Sequence, residues 1–215
     1  MIRLSCVLLF TYLVGTQSGT PTEPPLQRAV TDYQDGAAGF PFLLNNIAKR
    51  YEFPIGIELR PDALGIAASV QLKQGVVADV LEAVVRQMPG YKWDERSGVV
   101  NVMPADTQGS LLEVTIAHFQ FEHRRLDRVP EAVVAVPEVK AWLDRNGVTQ
   151  RRVINLLGSP DAIAKAQEDQ PQVSADLANV TLREALNRVV KNTPLHRWQV
   201  TLYGARGKDL GIELQ

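Results

Sequence analysis

The chain has 215 residues, 45% of them hydrophobic and 22% charged, with 23 basic against 24 acidic side chains and a formal net charge of −1. Gly and Pro usage is ordinary, which excludes collagen-like and low-complexity classes. The balanced charge asks for neither a nucleic-acid backbone nor an anionic lipid surface.

The first element is a targeting segment. Arg3 supplies a positive charge, Leu4 to Val14 is an uncharged, mostly apolar run, and Gly15 to Thr20 are small or polar. That order is the order of a secretory signal peptide, and the apolar run is too short to span a bilayer. Small residues at Thr16 and Ser18 place cleavage after Ser18. Residues 19–27 then read as a linker, leaving no integral membrane segment in the mature chain. Cys6 is the only cysteine and lies within the leader, so an exported product has no thiol, disulfide or Cys metal ligand.

The body, expected in the periplasm, predicts an α+β protein. Phe40, Leu43, Leu44, Ile47, Ala48 and Tyr51 keep helical spacing, with Pro41 in the first turn. Ile55, Ile57 and Leu59 alternate as a short strand, and Val70 with Leu72 as another. A second apolar stripe, Val77, Val80, Leu81, Val84, Val85 and Met88, ends at Pro89-Gly90. Tyr91–Asp94 and Val99–Met103 flank Glu95-Arg96-Ser97-Gly98 and predict a hairpin, with Gly where a positive φ is wanted. A strand from Leu112 to Phe121 follows, then a helix from Pro137 that buries Val139, Trp142 and Leu143 and stops at Asn146-Gly147. Val153 to Leu157 reads as a strand. Thr181-Leu182-Arg183-Glu184 is a capping-box pattern opening a helix whose apolar face is Leu182, Ala185, Leu186, Val189 and Val190. A terminal hairpin pairs Arg197–Tyr203 with Leu210–Leu214.

These elements repeat. With a shift of 105, residues 69–93 fall on 174–198, and Ser69, Leu72, Leu81, Val84, Val85, Pro89 and Trp93 meet identical residues. With a shift of 99, Pro61-Asp62-Ala63-Leu64 falls on Pro160-Asp161-Ala162-Ile163. The expectation is two tandem small modules, 28–106 and 110–215, each two helices packed on a small mixed or antiparallel sheet, the second with an insertion around 165–172.

The order helix, strand, Pro-Asp-Ala, strand, helix with Leu-x-x-Val-Val, Pro, aromatic strand and closing hairpin resembles the short N-terminal domain of secretins and TonB-dependent receptors (STN). Val180-Thr181-Leu182-Arg183-Glu184-Ala185-Leu186 carries most of the likeness, and Val76 to Leu81 is a looser version. The resemblance implies small periplasmic modules that dock other envelope proteins, such as a secretin, a receptor or a regulator. No barrel, plug or pore sequence follows, so transport is not carried over.

No chemical motif stands out. His118 to His123 has the pattern H-x-x-x-E-H, which is neither zincin spacing, and its alternation favours a strand. Gly204 to Asp209 contains Gly-Lys but lacks P-loop spacing and reads as a hairpin turn. Asn179-Val180-Thr181 is a sequon whose Thr181 serves better as a helix cap. Arg124, Arg125, Arg128, Arg151 and Arg152 are interleaved with Asp127, Glu131, Glu138 and Asp144, a mixed solvated face. Trp93, Trp142 and Trp198 read as packing residues. No catalytic, cofactor-binding or metal residue is assigned.

The expected function is an exported, non-catalytic adaptor. Its partner-binding edge is placed at Gln199, Thr201 and Tyr203, which point away from the core if Trp198, Val200 and Leu202 face it. The alternative is a small-molecule or cell-wall-binding protein, or a weak hydrolase, with its site between the two modules.

Mass measurement of protein purified from its native envelope should find the N-terminus between about Thr16 and Thr22. Retention of Met1 on a cytoplasmic product contradicts export.

Overall fold

A computed structural model describes residues 23–150, 171–191, 193, 197–203 and 208–214. Its elements in chain order are β1 (Ala29–Gly39), α1 (Phe40–Tyr51), β2 (Ile55–Leu59), β3 (Ala67–Val76), α2 (Val77–Val85), β4 (Tyr91–Arg96), β5 (Val99–Pro104), β6 (Thr115–Arg125), α3 (Val129–Ala135), α4 (Pro137–Asn146), β7 (Thr149–Gln150), β8 (Gln172–Thr181), α5 (Leu182–Lys191), β9 (Arg197–Tyr203) and β10 (Asp209–Leu214). The class is α+β.

Local chemistry sets the boundaries. Helix α1 carries Pro41 in its first turn, Lys49 and Arg50 in its last, and ends at Glu52 in the left-handed conformation (φ 55°). The Asp79 carboxylate accepts the Val76 N–H at 2.9 Å to open α2, and the Thr181 hydroxyl accepts the Glu184 N–H at 3.2 Å to open α5. Gly147 closes α4 at φ 58°. Ser97 and Gly98, both with positive φ, make the tight turn between β4 and β5.

Among the described residues ten strands form three sheets: a β1–β3 ribbon, a β6–β8 ribbon, and a six-stranded sheet of order β4-β5-β2-β9-β10-β7. The two ribbons match closely. Each pairs an 11-residue strand with a 10-residue one, antiparallel. Each slips register at the same place, between Asp35 and Ala38 in the first and between Phe121 and Arg124 in the second. In the large sheet β4 runs antiparallel to β5 and β5 parallel to β2, while β9 runs antiparallel to β10 and β10 parallel to β7. The same pairing scheme therefore occurs twice. It is joined where β2 lies parallel to β9.

The join reverses the sheet faces. Register partners share a face, and Gly56 is opposite Trp198 while Glu58 is opposite Val200. Ile55, Ile57 and Leu59 belong to a core with Phe40, Leu44, Leu81 and Val84, under α1 and α2. Trp198 and Val200 belong to a second core with Val133, Val139, Leu186 and Val190, under α3, α4 and α5. The first core thus lies on one side of the sheet and the second on the other, and β2 is buried along its whole length.

Several expectations are corrected. The small sheets of the two modules are not separate, because the β2–β9 pairing fuses them. Strand β1 was not anticipated from the sequence. Left-handed Asp32 (φ 48°) breaks its alternation, so that Val30 and Tyr33, three residues apart, both turn inward. Leu111–Glu113 is a 3-10 turn, and the following strand starts at Thr115 rather than Leu112. Helix α3 is an additional element. Trp142 and Trp93 are only partly buried. The strand expected at 153–157 and the insertion around 165–172 fall almost entirely outside the described residues, as do the leader and most of the basic and Gly-Lys segments beyond position 150.

Trp198 is fully buried on Gly56. A methyl group on Gly56 would stand 2.1 Å from the indole Cε2, far inside van der Waals contact. We expect Gly56→Ala to cost about 1–3 kcal/mol by overpacking. In a Trp198→Ala background, itself about 3–5 kcal/mol less stable, the same change should be nearly free. Chemical denaturation of the four proteins measures this, and additive losses would contradict the contact.

Candidate functional site

Strand β9 cannot be the docking edge. It lies between β2 on one side and β10 on the other, so Gln199 and Thr201 have strand partners on both sides, while Tyr203 is opposite Asp209 of β10. Trp198 and Val200 do face the core, and the Gln199 amide donates to the Thr201 hydroxyl at 3.2 Å on the opposite face. The face was legible in the alternation. The neighbours of β9 were not, because strand order is not written in a strand's own sequence.

The edge of the large sheet at its described end is β4, which pairs among the described residues with β5 alone. The tight Ser97-Gly98 turn makes Arg96 and Val99 a mutually hydrogen-bonded pair, and such pairs recur at every second residue. Lys92, Asp94 and Arg96 therefore direct their backbone groups to β5, and Trp93 and Glu95 direct theirs to the open side. The Tyr91 N–H is taken by the Met88 carbonyl at 3.1 Å.

Side chains along β4 are well anchored. The Trp93 indole donates to Glu82 Oε2 at 2.9 Å, and Arg86 donates to Glu82 Oε1 at 2.8 Å. These two bonds hold the Glu82 carboxyl below its ordinary range, Arg86 being the larger cause. The Lys92 ammonium donates to the Ala105 carbonyl at 2.9 Å, and Arg96 pairs with Asp94 at 2.8 Å. Tyr91 accepts the Arg60 backbone N–H at 3.0 Å, and burial pushes its phenol up to about 12. The fully buried counterpart of Trp93, Trp198, donates to Asn187 at 2.7 Å. Each tryptophan thus bonds the helix residue eleven positions before it.

A second feature lies at the join of the two halves. Arg183 on α5 is 1% exposed and donates through Nη2 to Glu58 on β2 at 2.6 Å and through Nε to Glu113 at 2.9 Å. The Ser110 hydroxyl donates to the other oxygen of Glu58 at 2.7 Å. Beside this cluster is a cavity of about 160 Å³ lined by Glu58, Arg60, Gln108, Ser110, Trp142 and Leu202, among others. The Trp142 indole donates to the Gly109 carbonyl at 3.0 Å on its rim. Arg183 was missed because it directly follows Leu182 of the apolar stripe. The available signal was Arg183, Asn187 and Val190, which share helical spacing and widen the buried face.

The described histidines, His118 and His123, make no such centre. His118 is exposed on β6, with Nε2 3.1 Å from Gln120 Oε1 and 3.6 Å from Asp176. His123 sits at the ribbon's register slip with φ 45° and donates its backbone N–H to the Ser174 hydroxyl. Among the described residues no three His, Cys, Asp or Glu side chains converge as metal ligands. Within the described part of the basic cluster, Arg125 pairs with Asp127 at 2.7 Å and Arg128 with Glu131 at 2.7 Å. Phe42, Leu64 and Ile66 are exposed large hydrophobics, and the Phe40 N–H bonds the Ile66 carbonyl at the same corner.

Removing one partner of the buried cluster leaves an uncompensated charge. Glu58→Gln and Arg183→Met should each cost about 3–5 kcal/mol in urea unfolding, with strongly non-additive losses in the double variant. Single losses under about 1 kcal/mol would contradict a desolvated pair.

No protein-family model matches the chain, and no curated protein is a significant relative of it.

Proposed function

We propose that the protein is an exported, non-catalytic adaptor of the cell envelope, built from two modules resembling the short N-terminal domains of secretins and TonB-dependent receptors. The observation that carries this reading is the open side of β4. There the N–H and C=O groups of Trp93 and Glu95 face outward from a sheet whose strands β5, β2, β9 and β10 are paired on both sides, the two-residue β7 being its other described end. An extended partner segment gains main-chain hydrogen bonds on such an edge without any special side chain. Its side chains are anchored, Trp93 to α2, Lys92 to the chain after β5 and Asp94 to Arg96.

The duplicated pairing scheme supports two modules. Residues 69–93 and 174–198 both run strand, helix, strand, with equivalent helix-to-tryptophan hydrogen bonds. The second reading is a small ligand at the join, and the cavity between Glu58, Arg60 and Trp142 is what favours it.

Glu95→Pro removes an outward donor and sets a ring on the open side, a substitution that edge positions tolerate. Affinity capture from an envelope extract should lose its partner with this variant while the cooperative melt is kept. Unchanged capture moves the weight to the cavity, where Trp142→Ala should then abolish binding.

A further inference from the structure

The open side of β4 has a self-complementary charge order, and from it we infer that the protein pairs with a second copy of itself, β4 against β4, about a two-fold axis at Trp93. This rests on the docking reading above and names the partner.

The backbone limits the possible registers. In an antiparallel pair, residues that point outward must meet residues that point outward, so a two-fold axis passes through a residue and not between two. Centred on Lys92, Asp94 or Glu95, the pairing sets like charges directly across from each other. The Asp94 centre also opposes Lys92 to Arg96. Centred on Trp93, it opposes Lys92 to Asp94 of the second copy, twice, and Tyr91 to Glu95. Directly opposed unlike charges stabilise a strand pair and like charges destabilise it.

The geometry of β4 suits that register. Trp93 and its symmetry mate exchange two hydrogen bonds through their outward groups. Each Glu95 N–H reaches the carbonyl of the opposing Tyr91, whose own N–H is held by Met88. Lys92 and Asp94 form non-hydrogen-bonded pairs, the closer of the two pair types, with side chains on one face. The Trp93 indoles, only partly buried in a single chain, lie adjacent across the axis. The interface is isologous and closes at two copies, which protects the edge from open-ended growth. The result is one sheet continuous through two molecules.

Sedimentation equilibrium of the mature full chain, from roughly 10 µM to 1 mM, covers the range of weak small interfaces. A monomer–dimer equilibrium is expected. Asp94→Lys sets lysine against lysine at both symmetric contacts and should raise the dimer Kd roughly tenfold or more. Lys92→Asp should do the same with aspartates. The double reversal Lys92→Asp/Asp94→Lys should return Kd to near the wild-type value. Having two opposite single variants keeps the test decisive should either one fail its cooperative melt. A chain that stays monomeric, or a dimer indifferent to all three variants, overturns the inference. If such a monomer still captures an envelope protein and Glu95→Pro abolishes the capture, the docking reading stands without it.

Discussion

The parallel pairing of β2 with β9 is the constraint on which the rest of the molecule depends. Neither strand is long, and their contact is set by a glycine. Gly56 leaves the space that the Trp198 indole fills at the centre of the sheet. That contact brings two three-stranded units into one six-stranded sheet and hides both faces of β2. Once β9 lies parallel to β2 while keeping its own antiparallel partner β10, the second unit runs in the opposite sense to the first. Its helices then have to cover the other face. The reversal of faces follows from the pairing and needs no further device.

The same join explains a polar cluster in an otherwise apolar interior. Glu58 is on β2, on the face that turns toward the second core, and Arg183 comes down from α5 to meet it. A lone carboxylate there would be costly, and Arg183 together with Ser110 compensates it. Such a pair adds little net stability over an apolar one but penalises a slipped seam, because a register shift of one residue would leave both charges unpaired. Around the pair the packing is incomplete, and the cavity at Trp142 is what remains.

Joining the units also decides what they offer to others. Strand β9 and strand β4 occupy equivalent places in their units, each antiparallel to the strand that follows it. One is consumed inside the molecule and the other is left at the edge. The polar and charged order Tyr91-Lys92-Trp93-Asp94-Glu95-Arg96 belongs to the strand that remains open. Charges on an edge strand resist indiscriminate pairing, and their order selects which register is permitted.

Helices α1, α2, α4 and α5, the β4–β5 and β9–β10 hairpins and the faces of β2 and β9 were determined by the sequence itself, whereas β1 and α3 were not marked in it. Apolar spacing marked α1, α2, α4 and α5, while Thr181, Gly147 and Ser97-Gly98 marked helix ends and a turn, because these are interactions between residues close in the chain. The repeat showed in residues 69–93 and 174–198 because packing residues such as Leu81 and Trp93 were kept identical. Strands β1 and β6 share length, register and slip with hardly a residue in common, since a ribbon's hydrogen bonds are made by backbone, so that part of the likeness was invisible. Strand order, the fusion of the sheets, the burial of Arg183 and the choice of β4 over β9 as the edge were decided only in tertiary structure. Each depends on which backbone groups meet across a long stretch of chain, and no local pattern records that.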